Sequence, residues 1–323
     1  MGYKLRSFTF AAAVALVVAA AAVIGGCAAQ TGKPFCIIAL PDTQLYSKLM
    51  PEIYISQTQW IVDKKDEMNI AFVVHEGDVT NENWKEQWNN ADKAMTILDG
   101  QVPYAIAIGN HDMGPSGNTI GRDSRLFNEH FPVSRFEGKP WYGGHYGDNN
   151  DNSYHFFKVG GMKFLVVALE FGPREEVLEW ANKVVAENED RRTVVVTHGY
   201  LNSKGKRVSG NMPGSPHTYP CNGNDGDELW EKFLSKHENI FLVLCGHMDG
   251  RAGRTTSLGR HGNIVHQLMA NYQFDPKGGN GYLRVMKFVP KEDKIHVTTY
   301  SPYLNKNMTD ANNQFVLEYD MTD

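Results

Sequence analysis

Five short and almost wholly apolar runs constrain this chain more than any other feature. Each breaks off into a polar residue that can bind a metal ion. The runs are residues 35–40, 70–75, 104–108, 193–196 and 240–245. They end in Asp42-Thr43-Gln44, Glu76-Gly77-Asp78, Gly109-Asn110-His111-Asp112, Thr197-His198-Gly199 and Gly246-His247-Met248-Asp249. Runs of this length without polar alternation read as strands buried on both faces. A helix is expected over 52–67, with Ile53, Trp60 and Ile61 inward. A second helix is expected after Asn81 as N-cap. There Trp84, Trp88, Ala91, Met95 and Leu98 recur at three- and four-residue steps, and Gly100 follows. The first third therefore reads strand, helix, strand, helix, strand. That pattern makes parallel, right-handed βαβ units with helices over the sheet. In such a sheet the carboxyl ends of the strands collect on one edge, where ligands bind.

The remainder is less regular. A loop at 114–121 leads to a short helix near 122–130, and the Gly-, Asp- and Asn-rich stretch 138–152 is expected on the surface. Gly160-Gly161 between residues 154–159 and 162–169 signals a hairpin. Pro173 opens a helix with Val177, Leu178, Ala181, Val184 and Val185 inward. Residues 199–226 lack periodicity, and because they follow His198 they are a candidate lid. A helix over 227–237 should bury Leu229, Trp230, Phe233 and Leu234. Strands are expected at 264–269, 282–289, 294–300 and 314–319, with a tight turn at 290–293.

The N-terminus reads as a targeting segment. Lys4 and Arg6 precede an apolar run over 8–24, then Gly25-Gly26-Cys27. Small residues before a cysteine resemble a bacterial lipobox, which implies a signal peptide over 1–26, lipidation of Cys27 and a tether over 27–34. A transmembrane anchor and an ordinary cleaved signal peptide are the other two readings. All three place the rest of the chain outside the cytosol, with the lipidated form held on a membrane. The remaining cysteines, Cys36, Cys221 and Cys245, are odd in number, which excludes a full disulfide framework. Cys36 and Cys245 fall inside apolar runs as buried thiols. With 41% hydrophobic and 21% charged residues, the chain is not disordered. A net charge of −5 excludes a basic nucleic-acid coat. A phosphate substrate is still allowed, because bound metal ions supply positive charge locally.

The polar endings offer only oxygen and nitrogen donors, a set suited to Mn, Fe, Zn or Mg rather than to a thiolate zinc site. The ordered series Asp-x-Gln, Gly-Asp, Gly-Asn-His-Asp, His and Gly-His-x-Asp resembles the calcineurin-like metallophosphoesterases from residue 35 to the C-terminus. The resemblance implies one domain over 35–323, an α/β fold of four layers (α/β/β/α) with two mixed sheets, and two divalent ions at the strand ends. It implies that Asp78 bridges the ions and that Asp42 binds the first. Asn110, His198 and His247 would bind the second, and His111 would stay outside the shell as the proton donor. The reaction implied is hydrolysis of a small-molecule phosphate ester, mono or di, by a metal-bridging hydroxide. The alternative is a non-catalytic, metal- or ligand-binding envelope protein on the same fold.

Three positions depart from the family pattern. Gln44 and Asp249 stand where histidines are usual, and both belong to the first metal. That site would be Asp42, Gln44, Asp78 and Asp249, all oxygen donors, which favours Mg, Mn or Ca over Zn. Asn81 replaces an aspartate that usually orients the catalytic histidine. His75 is expected to support the site rather than ligate. His217, in the loop with Tyr219, Asn222 and Asn224, is a candidate for reaching substrate, and so is Asn81. Residues 271–273 end a strand that could also face the site.

Overall fold

The computed structural model describes residues 1–2 and 32–322. The expected signal segment, Cys27 and most of the tether lie outside these residues. Strands β1 (Phe35–Leu40), β2 (Ile70–His75) and β3 (Tyr104–Ile106) pair in parallel. The chain then crosses to a second sheet made of β4 (Tyr142–His145), β5 (Ser153–Val159), β6 (Met162–Ala168), β7 (Arg192–Val196), β8 (Ile240–Cys245), β9 (Arg251–Leu258) and β10 (Ile264–Asn271). It returns to the first sheet through β11 (Leu283–Val289), β12 (Lys294–Ser301), β13 (Lys306–Met308) and β14 (Gln314–Glu318). The sheet orders are β13-β12-β11-β1-β2-β3, with β14 also on β12, and β4-β5-β6-β7-β8-β10-β9. In the second sheet β6, β7, β8 and β10 run parallel, and the remaining pairs are antiparallel. Both sheets are therefore mixed, as expected.

Strand β1 shows why the apolar runs lack alternation. Phe35, Ile37 and Ala39 face the second sheet, against Phe164, Val166, Val194 and Leu242. Cys36, Ile38 and Leu40 face outward, under Ile53, Ile61, Trp88, Met95 and Leu98 of the covering helices. On the far side Leu165, Val167, Val195 and Val243 are covered by Val177, Leu178, Ala181, Leu229 and Phe233. Side chains alternate between faces, but both faces are buried, so every position is apolar. This is the four-layer sandwich.

The covering helices are Pro51–Lys64, Lys85–Met95, Glu175–Ala186 and Gly226–Lys232. Their inward stripes match expectation at most positions. Trp84 is an exception: it is 56% exposed, because the helix begins after it and its ring falls outside the stripe. Trp60 and Trp230 are half-buried. Asn81 is not the cap; the N-cap position is Trp84, and Asn81 belongs to the preceding loop. The hairpin forms with Gly160 and Gly161 at φ +62° and +91°, a turn with both central residues left-handed.

Two stretches depart from expectation. Asn150, Asp151 and Asn152 are buried rather than on the surface. Their polar groups are met internally, as in the bonds from Asn150 Nδ2 to the Phe131 carbonyl (3.1 Å) and from Asn152 Nδ2 to Glu170 (3.2 Å). Strand β9 has no apolar pattern because it is an edge strand with one face in solvent, yet it pairs with β10 over its whole length. Cys36 and Cys245 are buried free thiols, and Cys221 is a half-buried one. Among the described residues no helix is long and apolar enough to cross a membrane.

Candidate metal centre

The carboxyl ends of β1, β2, β3, β7 and β8 bring the expected residues together. Asp78, His198 and His247 present one ligand atom each, all within 4.8 Å of one another. Two of the proposed ligands are held in the left-handed region, Asp78 at φ +50° and His247 at φ +70°. Such backbone costs about 1–3 kcal/mol per residue and persists only where the surroundings enforce it. Gly109 and Gly246 let that happen. A Cβ at Gly109 would overlap the Asp78 carboxylate, and one at Gly246 would overlap Asp42.

The ligand atoms are aimed by hydrogen bonds from behind. His198 Nδ1 meets the Glu76 carbonyl at 2.8 Å, which turns Nε2 to the site, 3.1 Å from Asp78 Oδ1. His247 Nε2 meets the Gly214 carbonyl at 2.9 Å, leaving Nδ1 as its free ring nitrogen. The Asp42 carboxylate accepts the His247 backbone N–H at 3.2 Å. Asp112 lies behind the cluster. It is fully buried and accepts N–H bonds from Val79, Thr80 and Gly109 at 2.9–3.0 Å, tying the β2 and β3 loops together. His75 supports rather than ligates: its Nε2 meets Thr43 Oγ1 (3.0 Å) and its Nδ1 accepts the Gly77 N–H (3.2 Å).

Whether this pocket fits a cation is decided by its charge and its unspent acceptors. Asp42 and Asp78 are almost fully buried, and neither pairs with a lysine or arginine among the described residues. Burial pushes Asp42 up to about 8. Burial alone would lower His198, but the Asp78 carboxylate overrides it and holds the imidazole up to about 9. Burial would raise Asp78, yet the surrounding imidazoles of His198, His111 and His247 hold it below the usual range. Burial, with the neighbouring His198 charge, lowers His247 to about 3. The cluster thus draws in positive charge, and divalent ions would displace the protons that otherwise supply it. Asn110 Oδ1 and Gln44 Oε1 are buried and lack a hydrogen-bond partner. Two orphaned acceptor oxygens at one edge are costly unless something electropositive meets them. The residues present fit divalent metal.

The remaining expected residues divide. His111 stands beside the pocket. Its backbone N–H bonds Asp78 Oδ1 (2.9 Å), and its Nδ1 bonds the Asn81 carbonyl (2.6 Å), leaving Nε2 free. Asn81 thus orients His111 through its backbone, while its side chain turns to Glu82. Gln44 is buried, and its Nε2 donates to Gln273 Oε1. Asp249 lines the cavity over the site but is exposed, and both it and Asp42 stand outside the tight cluster. His217 does not line that cavity; it pairs with Glu228 (2.7 Å) at the start of the helix Gly226–Lys232.

The cavity, about 440 Å³, is also lined by Asn202, Lys204, Gly214, Tyr219, Gln273 and the 68%-exposed Phe274. The long loop 199–226 therefore does border the site, through Lys204, Gly214 and Tyr219 rather than His217. Phe171 was not anticipated. Its fully buried ring packs behind the lining residues His247 (5.1 Å) and Tyr219 (4.9 Å). Its position in the β6 exit gave no polar signal to find it by.

The comparisons with known proteins agree with this geometry. The model of the calcineurin-like phosphoesterase family matches residues 37–249. The uncharacterized protein YvnB of Bacillus subtilis (strain 168) is 34% identical over 285 residues, covering 86% of this chain and 21% of that protein. The chain thus spans about a fifth of that relative's length. Purple acid phosphatase PPD1 from yellow lupin (Lupinus luteus) superposes with a TM-score of 0.56 at 13% identity, over 91% of this chain and 55% of that one. GAP50, the anchor in the inner membrane complex of Plasmodium, gives 0.50 at 11% identity, over 90% of each chain. These two likenesses show a shared fold. With the family model matched over most of the chain and the four-layer sandwich in place, the chain belongs to the calcineurin-like phosphoesterase family.

Proposed function

We propose that this protein hydrolyses small-molecule phosphate esters with the help of divalent metal ions, and that His111 protonates the leaving group. The observation that carries this reading is the placement of His111. The imidazole is fixed at Nδ1 by a carbonyl and by its own backbone N–H on Asp78, and it stays at the edge of the ligand cluster with Nε2 free. A ligand would turn inward, whereas this ring lines the cavity with its free nitrogen.

Asp78, Asn110, His198 and His247 would hold one ion, and Asp42, Gln44 and Asp78 a second, harder one with Asp249 closing from the mouth. Mn, Fe, Mg, Zn and Ca are the candidates, with Zn disfavoured at the oxygen-only site. When bound, such a pair supplies Lewis-acid stabilisation of phosphoryl charge and lowers the pKa of water. The chain's own residues do the rest. Asp112 fixes the β2 and β3 loops, Phe171 and Tyr219 exclude water on one side, and His111 Nε2 holds the proton destined for the ester oxygen. The domain, residues 35–323, would work outside the cytosol, tethered to a bacterial membrane through a lipidated Cys27.

Bis- and mono-p-nitrophenyl phosphate with Mn²⁺ added test the reading. Metal-stimulated hydrolysis is expected, abolished by chelator, with His111→Ala lowering kcat by about 10²–10⁴-fold. A second reading, a binding protein that kept the fold without the chemistry, is favoured by one observation: Asp249 is exposed and apart from the cluster. Metal uptake without hydrolysis of either ester under any condition would select it.

A further inference from the structure

Gln44 carries an amide where an imidazole is usual, and an amide has a problem that an imidazole lacks. Its two ends are nearly the same shape, but only the oxygen can meet a cation. If the amide turned over, Nε2 would present hydrogens to the ion. Something must therefore decide which end faces the site, and the decision has to come from a neighbour that only accepts or only donates at that point.

In the structure that neighbour is Gln273, whose amide turns its oxygen, the accepting end, to Gln44. Gln44 Nε2 donates to Gln273 Oε1, and Gln44 Oε1 is left buried with no partner. Gln44 is 2% exposed and Gln273 8%. Gln273 is itself fixed at its backbone, whose N–H bonds Asn271 Oδ1 at 3.0 Å. Asn271 Nδ2 in turn bonds the His247 carbonyl at 3.0 Å. A chain of amides thus runs from the backbone of one proposed ligand, His247, through Asn271 and Gln273 to the side chain of another, Gln44. Asn271 and Gln273 lie at the end of β10, next to the cavity that Gln273 lines.

We propose that Gln273 is a positioning residue that fixes the Gln44 amide with its oxygen toward the first metal site, and that Asn271 holds Gln273 in place for this. The role rests on the reading of a divalent metal pair given above. It explains how a site with an amide in place of a histidine keeps a defined donor at that position. It also ties the geometry of the first site to the His247 loop of the second.

Calorimetric titration of Mn²⁺ into the metal-free full chain tests this without reference to turnover. Wild type should take up two ions per chain, one more weakly. Gln273→Leu should weaken the weaker site by about tenfold and leave the tighter one unchanged. Gln273→Glu keeps an acceptor for Gln44 Nε2, so it should bind the weaker ion at least as well as wild type. In a Gln44→Leu background, Gln273→Leu should have no further effect, because the path runs through Gln44. Equal weakening of both sites by Gln273→Leu overturns the proposal, as does an undiminished effect in the Gln44→Leu background. Uptake of only one ion by wild type also overturns it, while ester hydrolysis by that same protein would leave the hydrolase reading standing.

Discussion

His111 Nδ1 is bonded to the backbone carbonyl of Asn81 at 2.6 Å, and the Asn81 side chain points elsewhere, to Glu82. The imidazole is therefore oriented by a group that no side-chain substitution removes. A carbonyl fixes the tautomer as a carboxylate does but adds less to the stability of the protonated ring. Asn81→Ala is expected to change kcat by less than about threefold, against the about 10²–10⁴-fold loss for His111→Ala. The His111→Ala loss should be larger for an alkyl ester than for a p-nitrophenyl ester, since the poorer leaving group has more need of a proton. Steady-state rates on the two ester types check both points.

Gly117 faces the other side of the same ring. It adopts φ +75°, and a Cβ there would come within 2.8 Å of His111 Cε1 and Nε2. Gly117→Ala should therefore push His111 aside, reducing kcat by at least tenfold, and cost about 1–3 kcal/mol of stability from the left-handed backbone. Metal affinity should fall as well, because the same Cβ would come within 2.9 Å of Asn110 Nδ2, on the amide whose oxygen is a proposed ligand. Parallel calorimetry and kinetics separate the two effects.

Asp112 collects the backbone N–H groups of Val79, Thr80 and Gly109 at its two oxygens. Asp112→Asn replaces one acceptor oxygen by a donor and sets it against buried N–H groups. The expected cost is about 1–3 kcal/mol in urea unfolding. The β2 and β3 loops carry Asp78 and Asn110, so metal uptake should weaken in the same variant.

His155 sets an acid limit on stability away from the site. It is buried beside Phe72, Trp141 and Tyr142, and burial lowers it to about 3 from an ordinary 6.5. The folded protein therefore binds fewer protons there than the unfolded chain does at any pH between these values. The stability this neutral ring provides is fully present above pH 6.5 and is lost as pH falls toward 3, at about 1.4 kcal/mol per pH unit. His155→Gln does not titrate. Its urea stability should fall less than wild type between pH 7.5 and 5.5, by about 1.4 kcal/mol. Equal losses in the two proteins would show that other groups control the acid limb.

The apolar runs, the Gly160-Gly161 turn and the order of the polar endings were legible in the sequence because each is a local property. A strand buried on both faces must be apolar at every position, and a two-residue turn with positive φ must be glycine-rich. The local patterns determined parallel βαβ units and a sheet edge that gathers Asp42, Asp78, Asn110, His111, His198 and His247, and the family resemblance carried by the ordered endings implied the four-layer sandwich and the metal roles. Strand β9 was hidden because an edge strand with a solvent face needs no apolar pattern. The tertiary structure decided which polar atoms meet. Gln44 and Gln273 are 229 residues apart, and His111 and Asn81 are 30 apart, so no spacing rule relates either pair. His217 was drawn to Glu228 and away from the cavity, while Asp249 stayed at its exposed mouth. Hydrogen bonds and charge pairs reach only a few ångströms, and which groups come that close depends on how loops from two separate sheets are stacked against each other.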